Sequence, residues 1–257
     1  MPMSEPLRLF VHRTSSASLR VTIFMSVAGV PDSLVEKVEM GLATDPRGIP
    51  VYTLSEGDPV TEALGTTDLK AFNPESRIPV LLLPDGRKMT QSGAIIDYIR
   101  TLHDDGGMEP DDPWARAEMR RLMWIIAADV QPYQNIPFII QAMTEWDMVR
   151  AMPTEHPLRL HFIRREFGAI EALLANCAGT CAVGDRVTLA DCFIVPQVRN
   201  ALMAGIDLPN EFPILSRVFD HVTEVPAVRR VLEDAGGKVQ PSFFSKAHME
   251  AYAAGDG

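Results

Sequence analysis

At residues 104–113 the chain reads DDGGMEPDDP, and the hydrophobic pattern differs on its two sides. This acidic stretch holds several chain breakers and ends at Pro113, just before a helical pattern, as a linker should. Upstream, strand-length and helix-length runs alternate. LRLFV (7–11) has strand length, and LRVTIFMSVA (19–28), set between a Ser/Thr cluster and Gly29, is expected to be a helix. LVEKVEM (34–40) alternates apolar and charged residues as a half-buried strand does. VLLL (80–83) and KMT (88–90) flank Pro84-Asp85-Gly86, a hairpin signal, and from Ser92 onward Ile95, Ile96 and Ile99 share one helical face. Downstream the period is helical almost throughout: WARAEMRRLMWIIAADV, HPLRLHFIRREFGAIEALLANC, LADCFIVPQVRNALMAG and ILSRVFDHVTEV. The expected fold is therefore α/β plus all-α, with a small α/β domain over 1–105, a linker at 106–112 and a helical bundle over 113–257. Residues 41–70, rich in Gly, Pro and Thr, read either as a functional flap or as a short irregular helix inside a loop.

With 257 residues and 46% apolar content, the chain can fill a core in each half. Its formal net charge of -10 repels phosphate backbones and anionic lipid, so neither nucleic acid nor a membrane is an expected partner. Cys177, Cys181 and Cys192 make an odd count without a CxxC pair; no disulfide framework and no metal site is expected, and the three thiols read as core-filling. No apolar run is long enough to span a bilayer, and MPMSEPLRLF lacks the regions of an export signal. A cytoplasmic location is the expectation.

Two clusters carry candidate chemistry. In MTQSGAIIDYI (89–99), Gln91 and Ser92 stand where a hairpin strand meets a helix. A helix N-terminus offers unpaired N–H groups and partial positive charge, which favour a carboxylate or phosphate, and a Ser hydroxyl adds one more donor. Ser92 is equally explained as an N-cap. Pro79 strengthens the ligand reading, because a bend or cis bond after Ile78 would turn the neighbouring backbone outward. In RTSSASLRV (13–21), Ser16 or Ser18 is a candidate cap, while a hydroxyl at that helix start can also donate to a thiolate. Such a bond contributes roughly 1.5–3 kcal/mol, about one to two pKa units, enough to bring a thiol of about 8.5 into the physiological range. Thr188 and Asp191 form a capping box, TLAD, that needs no ligand. His12 and His161 lack partners at useful spacing and read as surface or packing residues.

These clusters, in this order, resemble the glutathione transferase superfamily: RIPVLLLPDGRKMTQSGAIIDYI is similar to its glutathione-binding hairpin and helix, and VTLADCFIVPQV to its C-terminal capping-box helix. At finer grain SSASLRV resembles the zeta-class signature Ser-Ser-Cys-x-x-Arg-Val, DVQPYQN the motif Gln-Pro-Leu-Gln-Asn, and ADCFIVPQVRNA followed by IDL the zeta C-terminal run. The zeta class includes maleylacetoacetate and maleylpyruvate isomerases. The resemblance implies a thioredoxin-like N-terminal domain, a transferase-type helical C-terminal domain, glutathione as cofactor and a homodimer. It also implies residue roles. Gln91 and Ser92 hold the γ-glutamyl end of glutathione, Ile78 before a cis Pro79 pairs its backbone with the cysteinyl moiety, and Ser15 or Ser16 stabilises the thiolate. Arg20 supports the turn, and Gln131 and Asn135 border the site.

The departures matter as much. Ala17 stands where the motif has cysteine, Met203 where the zeta run carries an arginine for the substrate carboxylate, and Arg199 lies one turn earlier on a helix that points it elsewhere. Residues 41–70 exceed the zeta loop and show no counterpart of its glutathione-binding Gln. The motifs imply isomerisation of a maleylacetoacetate- or maleylpyruvate-type acid; Ala17 and Met203, as pocket residues, suit conjugation, dehalogenation or ether cleavage of a more apolar electrophile. A non-catalytic glutathione-binding scaffold is the third reading, and it would have no use for thiolate donors.

Overall fold

The computed structural model describes residues 5–44, 50–135 and 157–238, in two compact units divided between Asp105 and Gly106. The first unit is built on a four-stranded sheet of order β2-β1-β5-β6, with β1 (Leu7–Val11), β2 (Val35–Glu39), β5 (Val80–Leu82) and β6 (Lys88–Thr90). β1 runs parallel to β2 and antiparallel to β5, in the register Leu9 opposite Leu81 and Phe10 opposite Val80. β6 returns antiparallel to β5 with Thr90 opposite Val80. Alternation sets the two faces of β1: Leu7, Leu9 and Val11 lie on one side, Arg8 and Phe10 on the other.

Helix α1 (Ser16–Ala28) is apolar nearly all round, as a helix buried on most sides must be; Leu19, Val21, Ile23 and Phe24 are inside. It ends at Gly29, whose φ of 68° supplies the left-handed turn. Helix α4 (Ser92–Arg100) is amphipathic and packs against α1, with Ile95, Ile96 and Ile99 fully buried.

Residues 41–70 contain the short helix that one expectation allowed, together with two strands that neither foresaw. They form a second, two-stranded sheet of β3 (Gly41–Thr44) and β4 (Pro50–Thr53), then α2 (Pro59–Leu64) and the start of α3 (Leu69–Phe72). The segment covers the Phe10 face of the main sheet, where Phe10, Met40, Leu54, Leu69, Phe72, Ile78 and Val80 make one cluster with Tyr52 against it. Polar contacts fix it. Arg8 donates to Asp58 at 2.6 Å, Asp58 caps α2 through Val60 N–H, and Ser55 Oγ donates to Glu39 O at 2.9 Å. At Gly41 a Cβ would stand 2.5 Å from Thr53 Oγ1, so a larger residue there would displace the Thr53 side chain. Its weak period has a physical cause: the elements are four to six residues long and hold on to the sheet by capping and ion pairing as much as by an apolar stripe.

In the second unit α5 (Pro113–Trp124) starts at the Asp112 cap and runs into a π-helical stretch, Ile125–Val130, and then α6 (Gln131–Gln134). Helix α7 (Pro157–Cys177) follows among the described residues, then α8 (Leu189–Met203), α9 (Leu208–Glu211), α10 (Pro213–Glu224) and α11 (Pro226–Asp234). α8 is the central helix, buried along most of its length and packed against α5, α10 and the π-helical stretch. The capping box read from the sequence is present. Asp191 accepts from Thr188 N at 2.7 Å and Thr188 Oγ1 at 2.9 Å, and its other oxygen accepts from Ala182 N at 2.9 Å. No helix among the described residues is long and apolar enough to cross a membrane.

Candidate active site

The end of β1 delivers the serine turn. Ser15 N–H donates to His12 O at 2.9 Å, and Ser18 N–H donates to Ser15 Oγ at 3.2 Å, so Ser15 caps α1. The cap was expected at Ser16 or Ser18; it falls on Ser15 because that residue is the last with extended backbone, φ -78° and ψ 117°. Ser16 becomes the first helical residue, and its hydroxyl has no hydrogen-bond partner among the described residues, although only 8% of the residue is exposed. Ala17 follows, half-exposed, and Arg20 is fully buried, which lowers its pKa to about 9 and leaves it protonated at neutral pH.

His12 is no mere packing residue. Thr14 donates to its Nδ1 twice, from the hydroxyl at 2.6 Å and the backbone N–H at 3.3 Å, so Nδ1 is the unprotonated nitrogen. Burial lowers the His12 pKa, against the attraction of Glu39 and with help from Arg13, which keeps the ring a neutral acceptor near pH 7. Tyr52, from β4, lays its ring 5.3 Å from the His12 ring. Sequence reading missed both residues: His12 lies outside the serine motif and Tyr52 inside a segment of weak period. The alternation VYTL after Pro50 was the available signal.

Beside this turn lies the Ile78–Pro79 step, whose peptide bond is cis. Asn73 shapes the approach to it, donating to Arg77 O at 2.7 Å and accepting from Glu75 N at 3.1 Å. Neither the N–H nor the C=O of Ile78 has a hydrogen-bond partner among the described residues. Across β6 stands Gln91, with φ 71° and ψ 113°, a conformation a non-glycine residue adopts only under constraint. Gln91 occupies the cap position of α4 without capping through its side chain, which instead donates to Glu75 at 3.1 Å. Ser92 is thus one residue too late to be the N-cap; it is the first helical residue, and its largely buried hydroxyl has no partner among the described residues. The start of α4 keeps its orphan amides and that free hydroxyl together. Pairing of β1, β5 and β6 sets Ser15, Ile78 and Ser92 at one end of the sheet, the first and last about two strand spacings, roughly 10 Å, apart.

In the helical unit Gln131 and Asn135 bracket α6, Asn135 N–H donating to Gln131 O at 3.1 Å, directly after the π-helical stretch, a feature frequent at functional sites. Between them Gln134 accepts from Gln197 of α8 at 2.8 Å in a buried pair that leaves Gln134 Nε2 and Gln197 Oε1 unsatisfied. Met203 is the half-buried last residue of α8. Arg199 points elsewhere, as its helical position required: its guanidinium donates to Gly237 O at 2.8 Å and to Ala235 O, just past α11. No thiol of the chain is a ready nucleophile. Burial raises Cys181 to about 12 and Cys192 well above the ordinary thiol value, and burial also raises Cys177. Among the described residues no group of His, Cys, Asp and Glu could hold a metal ion.

Comparison with known proteins identifies the family. Residues 14–102 match the model of the glutathione S-transferase N-terminal domain, and residues 154–226 that of the C-terminal domain. A maleylacetoacetate isomerase of Rhizobium meliloti (strain 1021) is 30% identical over 90% of this chain and 98% of its own. Among solved structures, a holo maleyl pyruvate isomerase, a bacterial glutathione S-transferase of the zeta class, is similar with a TM-score of 0.69 and 26% identity, covering 89% of this chain and 97% of its own. The maleylacetoacetate isomerase of Anaeromyxobacter dehalogenans 2CP-1 with bound GSH has a TM-score of 0.67 and 28% identity, covering 90% and 96%.

Proposed function

Because the chain belongs to the glutathione S-transferase family, we propose that it is a zeta-type isomerase that uses glutathione to convert a maleylacetoacetate- or maleylpyruvate-type acid from cis to trans. The observation that carries the reading is the set of orphan polar groups along one end of the sheet: the Ser16 hydroxyl, the N–H and C=O of Ile78, and the hydroxyl and amides at the start of α4. Glutathione fits that set. An extended tripeptide spans roughly 10–11 Å, about the two strand spacings between the serine turn and Ser92.

Each group then has a task. Ser92, with hydroxyl and amide at the positive end of α4, receives the γ-glutamyl carboxylate, and Gln91 contacts the same end of the peptide. Ile78 offers one donor and one acceptor to the cysteinyl backbone. Ser15 and Ser16 face the sulfur from the N-terminus of α1 and favour its ionised form. Arg20 steadies the turn from inside. Held by these residues, glutathione would supply a sulfur nucleophile suited to reversible addition at the substrate's alkene. The chain's own thiols, all raised, do not compete.

The test counts thiols. Maleylacetoacetate turned over many times at constant free thiol supports the isomerase; thiol lost in proportion to product means a transferase. That second reading draws on the sequence, which has Ala17 in place of the motif cysteine and Met203 in place of the expected arginine, and on Arg199, whose guanidinium is committed to Gly237 and Ala235. We also propose a cytoplasmic homodimer. Trp114 and Trp124 of α5 are 72% and 66% exposed, an apolar surface that a second copy would cover, and light scattering measures the mass directly.

A further inference from the structure

We infer that Glu75 is a further glutathione-binding residue of this site: its carboxylate receives the α-ammonium of the γ-glutamyl end, so the site selects an amino-acid terminus over a plain carboxylic acid. The inference rests on the glutathione reading above and adds a residue that neither the serine turn nor the Gln91-Ser92 motif marks.

The γ-glutamyl end carries a carboxylate and an ammonium on one carbon. A helix N-terminus suits only the first of them. The orphan amides of α4 and the Ser92 hydroxyl, on a residue 7% exposed and without a partner among the described residues, attract the carboxylate, and the same partial positive charge repels the ammonium beside it. An anion next to α4 removes that conflict. Glu75 supplies it: Gln91 Nε2 donates to Glu75 Oε2 at 3.1 Å, which places a carboxylate against the side chain at the cap position of α4. That bond uses one of the roughly four acceptor sites of a carboxylate, and Glu75 forms no ion pair among the described residues. Gln91 Oε1 likewise has no partner there, so the two side chains together offer acceptors to an ammonium with protons to give.

The backbone fixes Glu75 where this requires it. Its N–H donates to Asn73 Oδ1 at 3.1 Å, Asn73 Nδ2 donates to Arg77 O at 2.7 Å, and Ser76 N–H donates to Asn73 O at 2.8 Å. Asn73 is buried, and Ser76 turns the chain with a φ of 51°, in the left-handed region. One short loop thus carries both Glu75 and the unpaired N–H and C=O of Ile78, facing two successive parts of one peptide. The cations of the neighbourhood leave the carboxylate open. Lys88 Nζ donates to Phe72 O at 3.0 Å and lies 4.7 Å from the centroid of the Phe72 ring, and no ion pair joins Arg77 to Glu75.

The experiment is a calorimetric titration of wild type and Glu75→Gln with glutathione and with glutaryl-cysteinylglycine, the same tripeptide with hydrogen in place of the amino group. Glutamine keeps the side-chain length and an acceptor for Gln91 and removes the charge. Glu75 and Gln91 are both exposed, so the contact is expected to act as a screened surface ion pair: wild type binds glutathione roughly fivefold more tightly than the analogue. Glu75→Gln loses most of that preference by weakening glutathione, while its affinity for the analogue holds within about twofold. Raising the salt to about 0.5 M shrinks the wild-type preference and leaves that of the variant where it was. Equal weakening of both peptides in Glu75→Gln, or no change in either, overturns the inference and leaves the glutathione reading standing. If wild type binds neither peptide at millimolar concentration, both fall.

Discussion

Ser15 Oγ accepts the Ser18 backbone N–H at 3.2 Å, so the residue proposed to face the glutathione sulfur also caps the helix that positions it. Its neighbour Ser16 has a hydroxyl without such a duty. Alanine substitution separates the two tasks. Ser15→Ala is expected to lose about 1 kcal/mol of stability with the cap as well as turnover, whereas Ser16→Ala should keep its stability within about 0.5 kcal/mol and lose turnover far more than glutathione affinity. Urea denaturation together with kcat and KM for both variants checks this; equal losses of kcat and affinity in Ser16→Ala would indicate uniform binding.

Gln91 holds φ at 71°, a value that costs a non-glycine residue on the order of 1–3 kcal/mol. Gln91→Gly removes that constraint together with the side chain. The variant is expected to be more stable, by about 1 kcal/mol, and to bind glutathione more weakly. Thermal denaturation and calorimetry on one preparation should move in these opposite directions.

His12 is buried neutral, with a pKa below that of the unfolded chain, so the unfolded state binds more protons in the window from its folded pKa up to about 6.5. Its contribution to stability is fully present above about 6.5 and is lost as pH falls through that window. A protonated ring can no longer accept from Thr14, so the serine turn loosens in the same range. His12→Gln, which keeps an acceptor and does not titrate, is expected to flatten this part of the stability profile between pH 5 and 7.5.

Met203 stands at the end of α8, and the guanidinium of Arg199 is bound to carbonyls beyond α11. If the substrate is a diacid, Met203→Arg is expected to lower KM for maleylacetoacetate without altering glutathione affinity. No change would favour an apolar electrophile.

The two-part architecture was legible because it rests on period. β1, α4 and the long helices α7 and α8 each carry an apolar pattern over enough residues to be read alone, and the capping box at Thr188 and Asp191 is a local code. The candidate site was legible where a short motif marks it, at Ser15, Ser16, Ile78-Pro79 and Gln91-Ser92. Local rules placed its details less well. Ser92 looks like a cap, yet the constrained backbone of Gln91 moves the helix start, a displacement no propensity predicts. Residues 41–70 hid two strands because β3 and β4 satisfy each other and bury a single mixed cluster against the main sheet. Tyr52 meets His12 across 40 positions of sequence, a contact only the folded chain creates.

The most direct measurement is a crystal structure of the protein grown or soaked with glutathione. The sulfur is expected within hydrogen-bonding distance of the Ser15 or Ser16 hydroxyl, with the γ-glutamyl carboxylate on the Ser92 amide and the cysteinyl backbone paired to Ile78. A tripeptide bound with its sulfur away from the serine turn, or a site that stays empty at saturating glutathione, would contradict the account.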